Sequence, residues 1–438
     1  MLKNIDIDVH HLTRVEGHGN IVVNVTDGVV EQCEWQVPEA PRFFEAMVRG
    51  RHYSEVARIT SRICGICAVG HTLASVKATE AALGIEVTEQ TKKLRSLLKH
   101  AENFDSHVLH VYVLVAPDLL GAPSAFALIP THGEVVARAL RLKRLAHEWG
   151  SAIGGRTTHP TRVIPGGFSR LPTVGELEEL RAKIVAAVPD LEATLDTVAA
   201  IAGAIPAFER PTEYMAVSSD SEYGLYDGHV ATVLADGDRA DYVVADYRTY
   251  TNEYVAEQST AKFTKNRLDS YAAGALARFN VNYDQLRPEA KAAAERLGLK
   301  PICTNPYMNS VAQVVEVVHS AYEGLRLIDE LLESGIADEG LVPPTRWATG
   351  ASAVEVPRGI LFHEYSYDEE GMCVNANCII PTNQNHANIQ RDFDALLPGL
   401  LASDKTEDEM RLAFEMLVRA YDPCISCSTH YVDVEFKR

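Results

Sequence analysis

The sequence is poor in cysteine, with eight in 438 residues, too few for a disulfide-dense scaffold. It has no apolar run of the eighteen or so residues that a membrane-spanning helix needs. It also lacks a Lys/Arg-rich run. Only 41 basic residues face 60 acidic ones, giving a formal charge of −19, so a polyanion would be repelled and no nucleic-acid partner is expected. The opening MLKNIDIDVHHLTRVEGHG has no charged segment leading into an apolar one, so no signal peptide is read and a cytoplasmic location is expected. Internal repeats, low-complexity tracts and a GxGxxG fingerprint are absent too, which places any nucleotide site on another chain. What remains is ordinary globular composition, 46% hydrophobic and 23% charged, enough for a sizeable core.

Residues 5 to 36 read as strands, with a hairpin turn at Asp27-Gly28. From Ser54 the pattern becomes helical through RICGICAVGHTLASVKATEAAL. A second helix spans about Thr88 to Val115 and stops at Ala116-Pro117-Asp118, because the residue before a proline disfavours helix. Further helices are expected over Glu134–Trp149 and Glu176–Ala202, the latter interrupted near Pro189, with a Gly/Pro-rich loop at 154–168. The stretch 208–262, rich in Tyr, Val and Thr, reads as a small β-rich insertion, most clearly from Tyr214 to Ala261. Val311–Leu332 is a strongly apolar, buried helix, and Thr406 with Glu409 forms a capping box for a helix running into Tyr421. The fold class is mainly α with β additions, an α+β chain forming a single domain over residues 1–438.

The cysteines are distributed unevenly. Cys33, Cys303, Cys373 and Cys378 are scattered, whereas Cys64/Cys67 and Cys424/Cys427 form two CxxC pairs at opposite ends of the chain. Each pair can bring two thiolates to one ion, and four soft sulfur donors suit Zn, an Fe–S centre or Ni. Zinc ribbons keep their pairs within a few tens of residues. Pairs separated by most of the chain favour a buried reactive metal centre, although structural zinc and redox disulfide chemistry stay open on spacing alone.

The flanking residues are more specific. The first pair stands in RICGIC with His71 four residues on, and the second in DPCISCSTH. These motifs resemble the two metal-binding motifs of the [NiFe]-hydrogenase large subunit. TRVEGHG (13–19), PRFFEAMVRGR (41–51), SHVLHVY (106–112), GGRTTHP with PGGF, EVPRG (355–359) and PTNQN (381–385) match as well, so the resemblance covers nearly the whole chain. It implies a helical-bundle core with the N-terminal hairpin and the β-rich insertion attached.

The resemblance also implies site roles. Cys64, Cys67, Cys424 and Cys427 would ligate nickel, with Cys67 and Cys427 shared with an iron that carries carbon monoxide and two cyanides. Glu16 would receive the proton from a terminal nickel thiolate. Arg358 would overhang the metals, held in a canopy by Asp105 and Asp422 through charge-assisted bonds. His71 would hydrogen-bond the Cys67 sulfur. Glu45, His430 and the backbone carbonyl near Cys378 would hold a magnesium or similar ion.

The implied reaction is reversible cleavage of H2 by an enzyme of the soluble, cytoplasmic, multimeric type (group 3). The other four cysteines are scattered and form no cluster motif for an Fe–S centre in this chain, so electrons would leave through an Fe–S-bearing small subunit. Beyond it lie acceptor subunits linked to NAD(P) and flavin, to coenzyme F420, or to a heterodisulfide-reductase/ferredoxin system. Residues 431–438 read as a propeptide that a maturation endopeptidase cleaves after His430. An H2-sensing regulatory protein is one alternative reading. A noncatalytic relative of the quinone-reducing respiratory complex is another, against which the four retained cysteines argue.

Overall fold

The computed structural model describes residues 4–430; the propeptide reading of 431–438 lies outside the described residues. Strands Ile5–Val9, Asn20–Thr26 and Val29–Gln36 form one antiparallel sheet in chain order. The expected turn sits between the last two, with Asp27 and Gly28 both at positive φ (49° and 78°), as a tight hairpin requires. Alternate residues Ile21, Val23 and Val25 point into the core.

Helix Glu89–Leu109 packs against helices Ile129–Gly154 and Asn309–Ser334, and the last of these also meets Val174–Ile201 and Pro288–Arg296. Thr88 caps the first of them by accepting a hydrogen bond from the Thr91 amide. Two expectations about proline are corrected here. The chain does not leave helical geometry at Ala116: it passes through a π-helical stretch, His110–Val115, into a further turn, Ala116–Leu119. Pro117 falls in that turn's first positions, where its missing N–H costs little. Helix Val174–Ile201 likewise runs on through Pro189, which lies on the solvent side, and it starts in a full Thr173/Glu176 capping box.

The β-rich stretch does not close on itself. Glu213–Ser218, His229–Leu234 and Arg239–Tyr242 pair antiparallel, but the ladder is completed by Tyr271–Ala272, parallel to the first and beyond residue 262. The residues after Tyr242 turn into short helical pieces over Val244–Thr251. A second antiparallel sheet, Thr349–Val356, Gly359–Tyr367 and Cys373–Ile379, has no counterpart in the expectations from sequence. Nor does helix Pro381–Ala402. The capped helix at Thr406 is present as Glu407–Ala420, with the Glu409 amide donating to Thr406 Oγ1 and the Thr406 amide to the Glu409 carboxylate.

The stretch after Ser54 is divided. Helix Tyr53–Thr60 passes through a single 3-10 turn, Ser61–Ile63, into extended backbone at Cys64, and helix Ala68–Leu83 begins only after Cys67. That second helix lies on the sheet of Thr349–Val356 and Gly359–Tyr367. The approach is close at Gly70, where a Cβ would collide with a Val356 methyl. The sheet's 356–359 turn is thereby pressed toward the start of the helix that carries Cys67.

Candidate metal centre

The break in the helix is what makes the first cysteine pair usable. With Cys64 extended and Cys67 at the start of a helix, the Cys67 amide donates to the Cys64 sulfur at 3.2 Å, curling the CGIC segment around it. The second pair arrives on a tight loop. Asp422 adopts positive φ (50°), Pro423 follows, and the Cys424 amide is held by Thr382 Oγ1 at 2.9 Å. The loop then pairs with the N-terminal segment: the Glu16 amide donates to the Pro423 carbonyl, and the Ile425 amide to the Glu16 carbonyl at 2.8 Å. Gly17 permits this contact, since at its φ of 84° an added Cβ would stand 2.6 Å from the Ser426 nitrogen.

The two ends of the chain therefore meet at sulfur. Cys64 and Cys424 lie 3.5 Å apart, and the sulfurs of Cys64, Cys67 and Cys424 fall within 4.8 Å of one another. Cys427 is grouped with Cys424 and a Glu16 oxygen on the same scale, and its thiol donates to the Ile63 carbonyl at 3.5 Å. All four cysteines are buried. They titrate as one unit. Hydrogen bonds from Cys424, Cys427 and Cys67 hold the Cys64 thiol well below its ordinary range. Burial pushes Cys424 and Cys427 well above it, and Cys64 together with burial does the same to Cys67 despite its bond to Cys424. Four converging buried sulfurs with one nearby guanidinium are a donor set that fits soft divalent metal, whose charge would keep every sulfur deprotonated.

Glu16 borders the cluster on one side. Its Oε2 accepts from the Cys424 thiol at 3.1 Å and from the Ser426 amide at 3.1 Å, while the Ser426 hydroxyl donates to Oε1. Arg358 borders the other side. Nη1 lies 3.3 Å from the Cys67 sulfur, Nη2 donates to Asp422 Oδ1 at 2.8 Å, and Nε donates to the Asp422 carbonyl at 2.6 Å. The turn carrying Arg358 is itself fixed by buried Arg278, which donates to the Val356 and Pro357 carbonyls, Glu355 and Glu316. Although burial would raise it, the Arg278 guanidinium holds the Glu316 carboxyl well below the usual carboxylate range.

The canopy differs from expectation at Asp105. That carboxylate pairs with Lys143 at 2.7 Å and His147 at 3.3 Å, on the face of its helix turned toward Ile129–Gly154. At 100° per residue His107 points the opposite way, toward Glu316. The groups that complete the canopy are Gln313, donating to Asp422 Oδ2 at 3.1 Å, and His110, whose Nδ1 meets Gln313 Oε1 at 2.5 Å. His110 belongs to the SHVLHVY motif but gives no local sign of this contact. Gln313 is concealed in a helix that reads as apolar.

His71 also differs. Its ring Nδ1 faces His363 Nε2 at 3.3 Å, and its link to Cys67 is through backbone, amide to carbonyl at 3.0 Å. Burial lowers the ring to about 4, so it is neutral. His363 in turn meets the Tyr365 hydroxyl at 2.6 Å. Near the end of the described chain, Glu45 is buried and pushed up to about 7 by that burial. It accepts from the Cys378 amide at 2.8 Å. His430 is buried and neutral, and among the described residues neither ring nitrogen has a partner. The one lone-pair nitrogen of neutral His430 and the buried Glu45 carboxylate are each a donor type that a cation accepts.

Comparison with known proteins agrees with this donor set. A family described as nickel-dependent hydrogenase matches residues 42–140 and 216–430, and one described as HoxL-like matches residues 6–40. The alpha subunit of sulfhydrogenase 2 from Pyrococcus furiosus is 33% identical over 97% of this chain and 99% of its own length. One subunit of the F420-non-reducing hydrogenase from Methanothermobacter thermautotrophicus is 32% identical over 99% of this chain and 96% of its own length. Among solved structures, an NAD+-reducing [NiFe]-hydrogenase in the H2-reduced state superposes with a TM-score of 0.83 at 29% identity, covering 97% of this chain and 99% of that one.

Proposed function

The chain belongs to the nickel-dependent hydrogenase family as its catalytic large subunit, and from that premise we propose that it cleaves and forms H2 reversibly. The observation that carries the reading is the convergence of both CxxC pairs between Glu16 and Arg358. Cys64, Cys67, Cys424 and Cys427 would hold nickel, with Cys67 and Cys427 shared with an iron bearing carbon monoxide and two cyanides. When bound, this pair supplies an electron-rich centre at which the H–H bond is polarised.

The chain's own residues handle the proton. Glu16 Oε2, 3.1 Å from the Cys424 sulfur, takes a proton released there and carries it outward, since it is only half-buried. Arg358 stays protonated, because a guanidinium does not deprotonate in proteins, and acts as a fixed positive charge over the sulfurs. Asp422, Gln313 and His110 keep it there. Glu45 and His430 would hold magnesium or a similar ion, and maturation removes 431–438 by an endopeptidase.

Electrons pass to a small subunit that carries Fe–S clusters, and from there to an acceptor. NAD(P) stands first among acceptors, supported by the likeness to the NAD+-reducing enzyme; heterodisulfide-reductase or ferredoxin partners and coenzyme F420 come next. Among the described residues no helix is long and apolar enough to cross a membrane, in keeping with a cytoplasmic complex. The test is to purify the complex and assay H2 oxidation with each acceptor in turn. NAD(P) reduction is expected, and H2 oxidation that proceeds only with other acceptors would refute that choice.

A further inference from the structure

Arg42 lies outside the four ligands, the canopy and the Glu16 pair, yet its side chain touches both cysteine loops. Nη1 donates to the carbonyl of Ile63, the residue before Cys64, at 2.8 Å. The same nitrogen reaches the Ser426 hydroxyl at 3.2 Å and the Ser426 carbonyl at 3.4 Å, inside the second CxxC. Nη2 donates to the Arg62 carbonyl at 3.2 Å. The backbone ties down the same segment, because the Arg42 amide donates to the Thr429 carbonyl at 3.0 Å and Thr429 Oγ1 to the Ala40 carbonyl at 3.1 Å.

Two features give these contacts chemical meaning. A serine hydroxyl has one hydrogen to donate and lone pairs to accept with. Because Arg42 has only donors, it can occupy no more than a lone pair of Ser426, which leaves the hydroxyl hydrogen directed at Glu16. The second feature is the Ile63 carbonyl, which accepts from both Arg42 and the Cys427 thiol. Once Cys427 is a metal-bound thiolate it has no hydrogen to give, and Arg42 becomes the donor on which that carbonyl depends.

We propose that Arg42 is a positioning residue that locks the two cysteine loops to each other and fixes the Ser426 hydroxyl as a donor to Glu16. This rests on the hydrogenase reading and deepens it. Lysine would not substitute, because a single ammonium cannot span Ile63, Arg62 and Ser426 in the way a planar fork does.

The test uses the assembled complex carrying Arg42→Ala, Arg42→Lys, Ser426→Ala and the Arg42→Ala/Ser426→Ala double variant. Two quantities are read: the rate at which a chelator strips nickel, and H2/D2 exchange with solvent per nickel retained. Arg42→Ala and Arg42→Lys should both lose nickel several-fold faster than the unaltered complex. Their exchange per nickel should fall by about ten- to a hundredfold, the scale on which small misplacements cost rate.

Added guanidinium should restore part of the exchange in Arg42→Ala and none in Ser426→Ala. In the double variant exchange should be no lower than in Ser426→Ala alone, because the two residues act in series. Unchanged exchange per nickel in Arg42→Ala, or losses that simply multiply in the double variant, would overturn the proposal. Where Arg42→Ala does not assemble, Arg42→Lys carries the same test, and normal nickel retention and exchange in it overturn the proposal equally. An unaltered complex that holds nickel but exchanges no H2 would count against the hydrogenase reading, while the chelator comparison still decides whether Arg42 locks the loops.

Discussion

Glu16 and Arg358 each approach a cysteine sulfur, at 3.1 and 3.3 Å, but from opposite kinds of surroundings. Glu16 sits on an N-terminal segment, half-buried, beside a serine hydroxyl and next to a glycine. Arg358 is sealed: both it and Asp422 keep 2% side-chain exposure, and Gln313, His110 and the Arg278 network surround them. A carboxylate that can reach water suits proton export. A buried ion pair with its hydrogen bonds satisfied suits a charge that must not move. One flank of the cluster is therefore built to exchange and the other to stay fixed.

The comparison breaks first at Glu16. Glu16→Gln keeps the size and the hydrogen-bond reach but cannot accept the proton, so H2/D2 exchange should fall by roughly 10²- to 10⁴-fold with nickel and iron content unchanged. Exchange at the normal rate would show that the proton leaves elsewhere. Arg358→Ala should act mainly on stability. It strands Asp422 as a buried charge without its partner, a loss of about 3–5 kcal/mol measurable by denaturant unfolding. A loss below about 1 kcal/mol would mean that this flank is not sealed.

A gentler probe of the sealed interior is pH. Burial holds His100, His319 and His386 at about 3, against an ordinary 6.5. Below pH 6.5 the unfolded chain therefore takes up protons that the folded chain refuses, and stability falls. Glu355 works in the opposite sense, since burial raises it to about 7 from 4.5 and the folded chain is protonated first. The three histidines set against Glu355 leave a net loss of about 2 kcal/mol between pH 6.5 and 5.5. His71 at about 4 and Glu45 at about 7 nearly cancel each other over the same range. Unfolding curves at those two pH values that coincide would contradict these assignments. The smallest effect is expected at Asp105. It pairs with Lys143 and His147 away from the cluster, so Asp105→Asn should cost under about 1 kcal/mol and leave H2/D2 exchange within twofold.

What the sequence made legible follows the same division. Cysteine spacing, Glu16 beside Gly17, and Arg358 after Pro357 are local signatures, and each is found at the cluster. The sealed flank is built from tertiary contacts that no local pattern announces. Gln313 and Glu316 lie on the helix whose valines dominate its reading, and the polar stripe emerges only once the helix is placed against Glu89–Leu109. Asp105 sits within one residue of a matching motif, yet helical phase turns it outward while His107 and His110 turn in. The sheet of 349–379 escaped because strands Thr349–Val356 and Gly359–Tyr367 are buried on both faces along most of their length, which removes the alternation that marks a half-exposed strand. Pro189 misled because on the solvent side of a long, well-capped helix water can satisfy the carbonyl that a proline leaves unpaired.

The account stands on one centre joining the two ends of the chain, and its metal content is the direct measurement. The purified complex should contain one nickel and one iron per chain, with infrared bands from carbon monoxide and cyanide on the iron. Zinc alone in the four-cysteine site, without those bands, would contradict it.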